Sequence, residues 1–76
     1  MRSSQRQDYA RRIEQALEEL RRCIAAGEPP SLEALAAQAA LSPFHFHRVF
    51  RLMTGESVGA AITRIRLAHA LSALEA

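Results

Sequence analysis

Apolar residues recur along this chain at steps of three and four, and no segment alternates apolar and polar residues long enough to predict a strand. Tyr9, Ile13, Leu17, Leu20 and Ile24 make the first stripe and predict a helix over about 6–26. Arg11, Arg12, Glu14, Glu18 and Arg22 fill its other faces, and Glu18 lies four residues before Arg22, the spacing of a favourable ion pair. Gly27 is placed to cap this helix in a left-handed conformation, and Pro29-Pro30 forbids its continuation.

A second, short helix is predicted over roughly 32–39, capped by Ser31 and buried along Leu32, Leu35, Ala36 and Ala39. A helix this short and nearly uncharged holds only if it is packed on several sides. Ser42 followed by Pro43 is a strong start signal for a third helix, which runs to Thr54 and stops at Gly55. Ser57 caps a fourth over about 58–75, with Val58, Ala61, Ile62, Ile65, Ala68 and Ser72 along one side. The expected fold class is all-α: a small homeodomain-like bundle of about four helices containing one helix-turn-helix. The leading helix at 6–26, the helix-turn-helix at 31–55 and a last helix at 57–76 make one unit.

Residues on a helix are spaced about 100° apart. With Phe44 set to zero, Phe46, Val49, Phe50 and Met53 fall between about 140° and 240° and form the face expected to bury. Phe44, Arg48 and Arg51 cluster near zero, and His47 lies about 60° to one side. The outward face thus carries two guanidiniums, an imidazole and an exposed aromatic ring. That combination suits base edges and phosphates, although many short helices carry two arginines merely for solvation.

Charge sharpens this picture. The net charge is only +2, and all ten basic residues are Arg. Residues 1–28 hold six Arg against five acids, whereas residues 42–69 hold four Arg, three His and only Glu56. An anionic partner would meet the acid-poor half. Fifteen of the 76 residues are Ala and only four are aromatic, so the core is expected to be thin.

The stretch Ser31 to Leu74 resembles the first half of the DNA-binding domain of the AraC/XylS family of bacterial transcription regulators. The features that carry the resemblance are LEALA at 32–36, Leu41-Ser42-Pro43, Phe46, Arg48-Val49-Phe50-Arg51, Thr54-Gly55, Ser57, Arg66-Leu67 and Ala70. The resemblance implies sequence-specific binding of double-stranded DNA, with the helix at 43–54 in the major groove and 58–75 as a helix linking two such motifs. The family's base-contacting positions fall on Phe44, His47 and Arg48. By the same resemblance, Arg51 and the helix end at Ser42 would hold phosphates. A second helix-turn-helix and an effector-binding domain are expected partners in a longer parent, of which this chain would be a fragment. A motif this close to Met1 resembles the subgroup in which a gyrase-inhibitor-like small-molecule domain follows. Three positions depart from the family: Ala40 where Gly is usual, Ala61 where a large aromatic is usual, and Ala73 where Leu is usual. Each is expected to lighten the core, by about 1–3 kcal/mol for a lost large side chain.

Other chemistry is weaker. His45 and His47 lie about 200° apart on a helix and no carboxylate or thiol completes a metal site, so no metal or cofactor is expected. Cys23 reads as a small core filler. Absence of a phosphate loop, a nucleophile elbow or a facing carboxylate pair argues against an enzyme. The lone Cys and the polar start of the chain point to a reduced, cytoplasmic setting without a membrane segment. The rival reading is a helical interaction or dimerisation module without DNA binding of its own. Leu67, Leu71 and Leu74, off the buried stripe of the last helix, would form its contact and could support a homodimer.

Overall fold

Four α-helices appear in the computed structural model, which describes the backbone of residues 3–75 and the side chains of residues 5–75. They are α1 (Ser3–Ala26), α2 (Leu32–Gln38), α3 (Pro43–Thr54) and α4 (Val58–Glu75), with no strand among the described residues. The chain is an all-α helical bundle, as its periodicity predicts. Helix α1 starts three residues earlier than the stripe implies, at Ser3 rather than Arg6. No Gly or Pro interrupts residues 3–8, so nothing in the chemistry stops the helix there.

The punctuation residues act as their chemistry requires. Ser31, Ser42 and Ser57 each accept from the backbone N–H three residues on, those of Ala34 (3.3 Å), His45 (3.3 Å) and Ala60 (3.1 Å). Gly27 takes φ +73°. The Gly27 N–H donates to the Ile24 carbonyl, and the Glu28 N–H to that of Cys23 at 2.8 Å, which closes a Schellman turn. Gly55 ends α3 with φ +82° and its N–H on the Arg51 carbonyl.

Ala40 does what Gly27 does, without glycine's freedom. Its φ is +57°, and the Leu41 N–H returns to the Ala36 carbonyl at 2.9 Å. The residue is exposed. Contrary to the expectation of a lighter core, alanine at this position strains the backbone and takes no part in the core. Ala73 is exposed too, so neither residue bears on the core, whereas Ala61 is fully buried.

The core is built from all four helices: Ile13, Ala16 and Leu20 of α1, Leu35 and Ala36 of α2 with the adjoining Ala39, Phe46, Val49 and Phe50 of α3, and Val58, Ala61 and Ile65 of α4. Phe46 and Phe50 form its aromatic centre, with ring centroids 5.7 Å apart. Tyr9, Leu17, Ile24, Leu32, Leu41 and Ile62 pack at its edge, half-buried. Short α2 is held by α1 on one side and α3 on another, which answers how so short a helix persists.

Further details differ from expectation: Ala68 and Ser72, on the stripe of α4 expected to be buried, are exposed, because the core on α4 stops at Ile65. Met53 is 37% exposed rather than buried. Every residue from Arg51 to Gly55 is exposed, so the last turn of α3 lies beyond the core layer. Arg22 pairs with Glu19 at 2.7 Å and with Glu28 at 3.3 Å, not with Glu18. The Schellman turn folds Glu28 back beside Arg22, and half-buried Glu19 faces the same side, next to Cys23. Arg22 holds the Glu19 carboxyl below its ordinary value.

Candidate nucleic-acid interface

The turn of residues 39–42 sets α3 against α2 and α1, and the core decides which side of α3 is left outward. Burial of Phe46, Val49 and Phe50 leaves Phe44, His47, Arg48 and Arg51 exposed. All four sequence-predicted side chains on α3 therefore lie on its solvent side, and Ser42 stands exposed at the start of the same helix. Phe44 is 74% exposed, an unusual position for a ring that two core phenylalanines of the same helix avoid.

The electrostatics of this face follow from which charges are already matched. Glu56, the sole acid of residues 42–69, binds Arg64 in a two-pronged contact at 2.9 and 3.1 Å. That carboxylate raises the Arg64 pKa further and takes both groups out of the balance. Arg12 bridges Asp8 at 3.0 Å and lies over the Tyr9 ring. Among the described residues, Arg48 and Arg51 have no ion-pair partner.

The start of α3 adds donors. Pro43 has no N–H, the His45 N–H is taken by the Ser42 hydroxyl, and the Phe46 N–H by the Ser42 carbonyl. That leaves the Phe44 N–H, at the positive end of the helix, for an outside acceptor. The Ser42 hydroxyl accepts from the helix and keeps its own proton to donate.

His45 points elsewhere, meeting the Tyr9 ring edge-on at 6.0 Å. It separates from His47 as the helical spacing requires, and no cluster of three metal-ligating side chains occurs among the described residues. Cys23 is buried, and burial together with Glu19 pushes its thiol up, away from the reactive thiolate. No helix among the described residues is long and apolar enough to cross a membrane. One prominent exposed side chain beside the predicted face was missed: Leu52, 79% exposed. The helical wheel places it about 40° from Arg48, so its position beside the outward face was legible in the sequence.

Over 27 residues the chain is 63% identical to the bifunctional transcriptional activator/DNA repair enzyme Ada of Escherichia coli (strain K12). That match covers 36% of this chain and 8% of the relative's length. No family model matches the chain, and no solved structure matches it.

Proposed function

We propose that this chain binds double-stranded DNA in transcription regulation, as part of an AraC-type bacterial regulator, with α3 lying in the major groove. The observation that carries the reading is the exposed Phe44 ring beside Arg48 and Arg51, two guanidiniums without an ion-pair partner among the described residues. The local identity to a transcriptional activator supports it. In this reading 31–55 is a helix-turn-helix and α4 a linking helix, and a second such motif and an effector-binding domain accompany it in a cytoplasmic parent. The chain acts as a binding module and not as an enzyme.

Each side chain then has a task. Arg48 donates two bonds to guanine O6 and N7, Phe44 packs on a thymine methyl or a sugar, and His47 donates or accepts according to its protonation. Arg51, the Ser42 hydroxyl and the Phe44 N–H hold phosphates, which sets register without reading sequence. A single such helix offers about three to five phosphate contacts. The affinity should then fall about 40- to 500-fold between 50 and 200 mM salt, which a fluorescence-anisotropy titration of a duplex measures. Arg48→Ala should relax base preference, and Arg51→Ala should weaken all duplexes alike. Binding that ignores salt and both substitutions would sink the proposal.

One observation favours the second reading, a protein-docking or dimerisation module. Leu67, Leu71 and Leu74 of α4 are 60%, 53% and 83% exposed. This reading gives α3 no DNA contacts of its own, so the duplex titration separates it from the first.

A further inference from the structure

A single exposed leucine is ordinary; the position of Leu52 is what gives it meaning. A step of four residues along an α-helix turns about 40° and rises about 6 Å. Phe44, Arg48 and Leu52 therefore form one ridge along α3, a guanidinium with an apolar side chain on either side. The two apolar members are 74% and 79% exposed. Leu52 borders two shallow clefts. One is lined by Tyr9, His45, Val49 and Met53, the other by Arg51 and Gly55, and Arg48 edges both. The side chain thus projects between two depressions, clear of the core.

We propose that Leu52 is a further base-reading residue, packing its methyl groups against the 5-methyl of a thymine beyond the guanine that Arg48 meets. This rests on the DNA-binding reading and extends it. In the major groove thymine is the base that presents a methyl group, and guanine the one that offers two acceptors to a guanidinium. The ridge's order of apolar, cationic, apolar therefore matches thymine, guanine, thymine on either strand. Phe44 and Leu52 lie about 12 Å apart along the helix axis, a span of roughly three to four base-pair steps.

The test starts with duplexes selected by the full chain from a random library at low salt. Each thymine of the selected site is then replaced in turn by uracil, which keeps base pairing and lacks only the methyl. At one thymine beyond the guanine, uracil should weaken wild-type binding about fourfold, the effect of one buried methyl. Leu52→Ala should bind the thymine and uracil duplexes alike there while keeping the guanine preference. If Leu52→Ala retains every thymine preference while Arg48→Ala still relaxes guanine preference, this inference is overturned and the DNA reading stands. If the chain, folded by circular dichroism, binds no duplex, both are overturned.

Discussion

Ala40 is the residue whose chemistry and conformation agree least. An L-residue at φ +57° costs about 1–2 kcal/mol relative to the right-handed region, and glycine escapes that cost. Glycine also gives back part of the gain through the greater freedom of its unfolded chain. Ala40→Gly should therefore stabilise the fold by about 0.5–1 kcal/mol, read as a rise of several degrees in the thermal midpoint followed by circular dichroism. An unchanged or lower midpoint would show that the left-handed turn stores no strain. That Ala40 ends a helix was legible, since Leu41-Ser42-Pro43 follows it. Alanine itself carries no mark of that positive φ; the glycine usual at this place in the resembled family was the available signal, and the φ and the return of the Leu41 N–H to Ala36 show the turn.

At the scale of the element, local chemistry set the helix ends well. Three serines sit at three N-caps, and each accepts the hydrogen bond that its position predicts. Their roles nevertheless differ. Ser42→Ala and Ser57→Ala should each destabilise the fold by about 1 kcal/mol in thermal melting. Ser42→Ala alone should also weaken duplex binding in low-salt titrations, because only that hydroxyl stands at the start of α3. Equal DNA affinities for the two variants would remove Ser42 from the phosphate-binding set. Side-chain pairing between elements was less legible. Glu18 had the better spacing to Arg22, but Glu28, six residues on, competes through the turn at Gly27. Met53 fell on the apolar arc of α3 and still lies partly in solvent, because a helical wheel gives direction and not depth.

At the scale of the whole molecule, the small residues matter as much as the aromatic ones. Ala16, Ala36, Ala39 and Ala61 are all buried and let the helices approach closely around Phe46 and Phe50. The radius of gyration, 13.0 Å, exceeds the roughly 11 Å of a compact domain this size. Part of the reason is α4, exposed at every residue from Arg66 to Glu75. The apolar side chains of that stretch invite cover. The sedimentation coefficient of the chain should therefore rise with concentration, and Leu71→Glu should hold it at the monomer value without changing duplex affinity. Matching concentration dependence in both proteins would dismiss the patch as an adhesive surface.

Taken alone, the sequence determined the helical class, the bounds of α2, α3 and α4 to within a residue, and the outward position of Phe44, His47, Arg48 and Arg51. These depend on periodicity, caps and breakers, which act over one or two turns and can be read locally. Only the tertiary structure decided which charges remain unmatched on α3, because Glu56, in the turn between α3 and α4, pairs with Arg64 of α4 and not with a guanidinium of α3. It also decided how far the core extends along each helix. Burial depends on where the neighbouring helices end, and that is a property of packing rather than of any single segment.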